Sequence, residues 1–158
     1  MKKSLLLLAF FALVFSACKK SSNTTPTVDP AIQAKIDDDL IKAYIAANNL
    51  TAVKDPSGLY YQIIDPGSGT APTVKSTVTV AYVGKLLNGS PFDSSSNYTA
   101  LLGGNLIQGW KIGIPYIKPG GRILLIIPSA LAYGPPGKGS IPPNTVLIFT
   151  IDLFQVQG

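Results

Sequence analysis

The chain holds no histidine and no glutamate, and its one cysteine is Cys18. That inventory excludes metal sites built on imidazole or thiolate clusters, Ser–His and Cys–His nucleophilic pairs, and disulfides within one chain. Whatever the chain does, imidazole does not help it. The stretch that stands out holds the only tryptophan and sits among the strongest strand signals, Asn105-Leu106-Ile107-Gln108-Gly109-Trp110-Lys111-Ile112-Gly113. The spacing of Leu106, Ile107, Trp110 and Ile112 predicts one side of a single short helix, with Gly109 letting it approach whatever lies beneath. The run Asp37-Asp38-Asp39 also gathers ligating atoms, but consecutive helical residues point apart, so it reads as a solvated face rather than a metal site.

A helix of about two turns is far too short to persist alone in water, so a sheet must hold it. The strand signals are the runs Thr77–Leu86, Arg122–Pro128 and Val146–Val156. Thr77–Leu86 alternates, with Val78, Val80 and Tyr82 on one side, and Asn88-Gly89 favours a tight hairpin into a returning strand with Phe92-Asp93. Tyr98–Leu102 reads as a further short strand. Leu59–Ile64 starts the sheet, and Asp65-Pro66-Gly67-Ser68-Gly69 turns the chain after it. The loop from Ala130 to Asn144 is crowded with Gly and Pro; loops this long in small domains tend to be functional or disordered, and Tyr133 and Ile141 at its ends favour function.

Upstream, Met1–Ala17 reads as a secretory leader: Lys2-Lys3, the apolar run Leu5–Phe15, then Ser16-Ala17 directly before Cys18. The run falls short of the ~20 residues a spanning helix needs. Phe15-Ser16-Ala17-Cys18 resembles the lipobox of bacterial lipoproteins, with Phe where Leu is usual. The resemblance implies lipidation of Cys18 and attachment to a lipid bilayer without crossing it, which several acyl chains at ~0.8 kcal/mol per buried CH2 make stable. Residues 18–28 read as a polar, flexible tether. Asp29 then reads as an N-cap with Pro30 at the first helical position, opening a helix through Asn48-Asn49 with Ile32, Ile36, Leu40, Tyr44 and Ile45 along one face. The expected division is 1–17 leader, 18–28 tether, 29–55 helix and linker, and 56–158 folded domain. The formal charge is +5, and without the leader's lysines 11 Lys and Arg face 8 Asp, leaving +3. No basic block interleaved with aromatics remains, so nucleic acid is not an expected partner.

The order of these features resembles one family, the FKBP-type peptidyl-prolyl cis-trans isomerases that bind tacrolimus and rapamycin. The resemblance covers about Ser57 to Gln157 and is carried by Gly89–Ser95, Leu-Ile-Gln-Gly-Trp at Leu106–Trp110, Ala-Tyr-Gly at Ala132–Gly134 and Ile-Pro-Pro-Asn at Ile141–Asn144. It implies an α+β fold, a twisted antiparallel sheet of five to six strands wrapped around one short helix, here preceded by an N-terminal helix. It implies a pocket between helix and sheet with Trp110 as its floor. Tyr82, Asp93, Ile107, Trp110 and Tyr133 match the family's catalytic positions, and Phe92, Leu106, Ile141 and Phe149 match substrate-binding ones, with Tyr98 standing in for a further pocket aromatic. The implied roles are carbonyl capture by the Ile107 N–H and the Tyr133 hydroxyl, and orientation by Asp93 through Tyr82. Proline-containing polypeptides, and macrolides such as tacrolimus and rapamycin, are the implied partners, with no cofactor and no metal. The segment from Asp93 to Leu102 is shorter than in small members, Ala100 stands where Phe is common, and Gly137-Lys138 stands where some members carry a loop histidine.

Such a site also stands on physical grounds. Rotation about an Xaa-Pro bond needs no acid, base or metal, only relief of a barrier near ~20 kcal/mol. A module that binds proline-containing segments without turning them over fits the same residues. If Tyr82, Leu125, Phe149, Ile151 and Leu153 face the short helix, alternation sends Leu124, Ile126 and Ile148 outward, where the 29–49 helix or a second copy of the chain must cover them.

Overall fold

Asp29 accepts a hydrogen bond from the Ala31 N–H at 2.8 Å and Pro30 takes the first helical position, so the chain enters helix α1 (Pro30–Ala47) as its capping residues predict. The computed structural model describes residues 28–158; the expected leader, Cys18 and all but the last residue of the tether lie outside them. After α1 come strands β1 (Val53–Lys54), β2 (Tyr60–Asp65), β3 (Thr77–Leu86) and β4 (Pro91–Leu101). Helix α2 (Gln108–Gly113), β5 (Arg122–Ile127) and β6 (Leu147–Gln157) complete the chain, with single 3-10 turns at Ile114–Tyr116 and Ser129–Leu131. No helix among the described residues is long and apolar enough to cross a membrane.

The strands form one antiparallel sheet in the order β1-β2-β5-β6-β3-β4. Val53–Lys54, ahead of the expected boundary near Asp55, pair with Tyr60 and Tyr61 and so belong to the sheet. Gly89, at φ +84°, supplies the left-handed residue of the β3–β4 turn. Two sequence expectations change here. Phe92-Asp93 and Tyr98–Leu101 lie in one strand, with Leu102 already in the turn after it, because register shifts opposite Val80–Tyr82 and Gly84–Lys85 absorb the irregularity as bulges instead of breaking the ladder. Leu106 and Ile107 do not share the helix face of Trp110. Ile107 is extended, at φ −63° and ψ 148°, and caps α2 from outside.

Both faces are buried at the centre of the sheet, along β5 and the first half of β6. Against α2 lie Val80, Ile123, Leu125, Ile127, Phe149 and Ile151, most of them with no exposed surface. On the other face Ile126 and Ile148 are covered by Ile41, Tyr44 and Ile45 of α1, with Leu124 beside them, so the expected cover is the helix of the same chain. Complete burial of an isoleucine is worth about 1.5–3 kcal/mol, so Ile41 alone is a substantial tie.

The helix presents a different face from the one its pattern predicts. Ile32, Ile36 and Leu40 are 58%, 42% and 45% exposed, while Asp37 and Ile41 are fully buried. The reason is polar. Asp37 accepts hydrogen bonds from the Ser129 N–H at 2.8 Å and the Ser129 hydroxyl at 2.6 Å, which turns this edge of α1 inward. The acidic run is therefore no solvated face. Asp38 accepts from Lys42 at 2.6 Å, Lys54 at 2.5 Å and the Tyr60 hydroxyl at 2.8 Å, while Asp39 alone stays at the surface with Lys35. Hydrogen bonds from Lys42, Lys54 and Tyr60 hold the Asp38 carboxyl well below the usual carboxylate range. Burial, and then the bond to Asp38, push the Tyr60 phenol up to about 12.

In urea titrations, Ile41→Ala is expected to lose about 2–4 kcal/mol of unfolding free energy. Ile36→Ala should stay within about 0.5 kcal/mol of wild type; equal losses would reject this orientation of α1. Because the folded-state pKa of Asp38 is depressed, its contribution is fully present above the unfolded value of ~3.9 and is lost progressively as pH falls from there through the folded-state value. The stability gap between wild type and Asp38→Asn should therefore be widest above about pH 5 and narrow steadily on acidification below about pH 4. A gap that stays constant on acidification would refute the assignment.

Candidate active site

Helix α2 lies directly on β5 because two of its positions lack side chains. A Cβ on Gly109 would sit 2.5 Å from Ile127 Cγ2, and one on Gly113 would sit 2.5 Å from Leu125 Cδ2. That approach lowers Trp110, only 4% exposed, into a ring of aromatics. Tyr82, Phe149 and Tyr98 meet the indole nearly edge-on, with centroids at 4.9, 5.3 and 6.2 Å. Edge-to-face packing is the preferred arrangement of such rings and fixes the indole plane. The indole N–H has no hydrogen-bond partner among the described residues.

Above the indole opens a cavity of about 460 Å³, within the range of small-molecule sites. Tyr82, Asp93, Tyr98, Leu106, Ile107, Trp110, Tyr133 and Phe149 line it, so the structure brings most of the expected site residues together. Phe92 and Ile141 do not line it. Phe92 stands behind Phe149 at 5.5 Å, and Ile141 is 7% exposed within the core. Gly84 makes the Phe92–Phe149 meeting possible, since a Cβ there would fall 2.7 Å from Phe92 and 2.8 Å from Phe149.

The lining also includes Asn105, Gln108, Ala132 and Lys138, which sequence reasoning did not assign. Gln108 and Ala132 lie inside the two motifs already singled out, so a signal for them existed. Lys138 is an exposed loop residue whose Nζ sits 5.0 Å from the Tyr133 ring centroid, a cation–π pairing that no local pattern announces.

One pair of polar groups in the cavity is committed. Tyr82 donates its hydroxyl to Asp93 Oδ2 at 2.8 Å, as expected from their neighbouring positions on β3 and β4. Burial first, then the bond to Asp93, push the Tyr82 phenol well above its ordinary value, so it stays a protonated donor across the neutral range. Ile107 stands just ahead of α2, where backbone N–H groups have no helical acceptor. Tyr133 is carried by the loop after β5. There the Ser129 carbonyl accepts from the Ala132 and Gly134 N–H groups at 3.0 and 2.9 Å, and the Gly134 carbonyl accepts from the Asn144 N–H at 2.9 Å. With one carboxylate bonded to a phenol and one ammonium over a ring, the cavity offers a ligand aromatic faces, the Tyr98 and Tyr133 hydroxyls and the Asn105 and Gln108 amides.

Comparison with known proteins agrees with this geometry. Residues 68–154 match the family model described as FKBP-type peptidyl-prolyl cis-trans isomerase. The FKBP-type peptidyl-prolyl cis-trans isomerase FkpA of Escherichia coli is 43% identical over 104 residues, which are 64% of this chain and 38% of that protein. The chain thus spans well under half the length of that relative. The crystal structure of Escherichia coli FkpA superposes with a TM-score of 0.70 at 35% identity, covering 80% of this chain and 63% of that one. A peptidyl-prolyl cis-trans isomerase from Pseudomonas syringae superposes with a TM-score of 0.71 at 30% identity, covering 82% of this chain and 97% of that one. Its sheet, its short helix and the match over residues 68–154 make this chain a member of the FKBP-type peptidyl-prolyl cis-trans isomerase family.

Proposed function

We propose that the cavity turns over Xaa-Pro peptide bonds, as a peptidyl-prolyl cis-trans isomerase. The observation that carries this reading is the indole floor held edge-on by Tyr82 and Phe149 directly beneath the Tyr133 loop. A planar amide is strongly dipolar, and twisting it removes resonance and much of that dipole. A proline ring seated on Trp110 has its amide in surroundings that solvate the planar form poorly, so the twisted state is favoured relative to water. The Ile107 N–H and the Tyr133 hydroxyl hold the flanking carbonyls while the prolyl amide turns, which is catalysis by positioning. Asp93 orients Tyr82, and Tyr98, Leu106 and Phe149 form the walls. Macrolides of the tacrolimus and rapamycin type fit the same aromatic slot.

The domain so proposed is residues 56–158, with Val53–Lys54 adding an edge strand to its sheet and α1 packed behind it. On the strength of the leader and of Phe15-Ser16-Ala17-Cys18, we assign the chain to the bacterial cell envelope as a lipoprotein, acylated at Cys18 and assisting the folding of exported proteins.

A cis-to-trans assay on short Xaa-Pro peptides is the direct test. Wild type should exceed the uncatalysed rate, and Trp110→Leu should lose about tenfold or more in kcat/KM. Wild-type activity equal to the uncatalysed rate would leave a proline-binding module. The chain has no histidine and the Tyr82 phenol titrates well above neutrality, so kcat/KM should be flat between about pH 6 and pH 9. A bell-shaped profile in that window would instead implicate proton transfer. Cys18→Ala should move the protein from the membrane to the soluble fraction, and unchanged membrane retention would refute lipid anchoring.

A further inference from the structure

The pocket and α1 lie on opposite faces of the sheet, yet one buried side chain links them. Asp37 is 0% exposed and Ser129 is 1% exposed. Asp37 Oδ2 accepts both the N–H and the hydroxyl of Ser129, at 2.8 and 2.6 Å, and Oδ1 accepts from Gln33 Nε2 at 2.7 Å. Burying a carboxylate is costly, and these bonds are what offset the cost, so their geometry is held tightly. Ser129 opens the turn from β5 into the pocket loop. Its carbonyl accepts from Ala132 and Gly134, the residues on either side of Tyr133, and the Gly134 carbonyl in turn anchors Asn144 at the far end of the loop.

From this chain of bonds we propose that Asp37 is a positioning residue for Tyr133, and that α1 sets the height of the pocket loop over the indole. Two alternatives for α1 are weaker. Covering Ile126 and Ile148 needs only apolar side chains, which Ile41, Tyr44 and Ile45 provide, and a buried carboxylate adds nothing to that task. A metal role for the acidic run fails because the Asp38 oxygens are taken by Lys42, Lys54 and Tyr60. What the Asp37–Ser129 pair adds is direction. It fixes both the backbone and the side chain of the residue from which the Tyr133 turn hangs, and low-dielectric surroundings make such charged bonds stiff. Tyr133 thus takes its place from an element outside residues 68–154, where the family match lies.

The proposal rests on the isomerase reading for its effect on activity, though its structural half can be measured without it. Full-length Asp37→Ala, Asp37→Asn and Ile41→Ala are compared with wild type under conditions where each is folded. Amide exchange at Ala132 and Gly134, and the NMR shifts of the Tyr133 ring, report the loop; the peptide assay reports turnover. In Asp37→Ala, exchange at both amides should quicken by about tenfold or more. The Tyr133 resonances should shift, and kcat/KM should fall by about tenfold. Asp37→Asn should restore most of both, because its carbonyl oxygen can accept the Ser129 bonds while the Gln33 amide turns over. Ile41→Ala, which removes apolar packing of α1 and keeps the Asp37–Ser129 bonds, should lose stability and shift loop exchange and kcat/KM much less than Asp37→Ala does. Loop amides as protected in Asp37→Ala as in wild type, or equal loop loosening in Ile41→Ala, would overturn the proposal. An inactive wild type with the predicted loop response would remove the isomerase reading and keep the link.

Discussion

The depth at which α2 rests on β5 governs the rest of the site. A helix of six residues has little stability of its own, so its place is set by what it touches, and what it touches is decided by Gly109 and Gly113. With side chains at those positions the helix would ride higher and carry Trp110 with it. The indole would then lose its edge-on neighbours, and the cavity would lose its floor. The aromatic ring around Trp110 is therefore a result of backbone proximity, and the proximity is a result of missing Cβ atoms.

The same sheet has to satisfy two faces at once. Leu125 and Phe149 look toward α2, while Ile126 and Ile148, their immediate neighbours, look toward α1. A sheet buried on both sides reads as nearly continuous apolar runs, and Arg122-Ile-Leu-Leu-Ile-Ile127 is such a run. This arrangement makes the N-terminal helix part of the folded unit. Its apolar residues cover the back of β2, β5 and β6, and its one buried acid reaches around to the loop at the front.

Much of this could be read from the chain alone, where the signal was local. Asp29-Pro30 announced a helix start and Asn88-Gly89 a hairpin, because both depend on a residue's own backbone preferences. Leu106–Trp110 and Ala132–Gly134 announced the pocket. The outward set Leu124, Ile126 and Ile148 followed from alternation, and so did the need to cover it. The failures share one cause, which is information held across the fold. Ile32, Ile36 and Leu40 satisfy helical spacing as well as Ile41, Tyr44 and Ile45 do, and only the bond from Asp37 to a serine 92 residues away chooses between them. Ile107 has no capping side chain to mark where α2 begins, so the helix seemed longer than it is. Phe92 and Ile141 are apolar at pocket-like positions, but whether such a residue faces a cavity or backs its wall depends on bulges and loop closure that spacing does not record.

Strand order carries a further consequence. β6, the last strand of the chain, is flanked by β5 on one side and β3 on the other, so it alone joins the β1-β2-β5 half of the sheet to the β3-β4 hairpin. Until its residues are available, each half has an open edge beside apolar side chains that no partner yet covers. The two halves therefore stay apart until β6 pairs with both, and only then can the ladder zip shut. Such non-local closure is slow compared with helix formation, so assembly of the whole sheet waits on the pairing of this one strand.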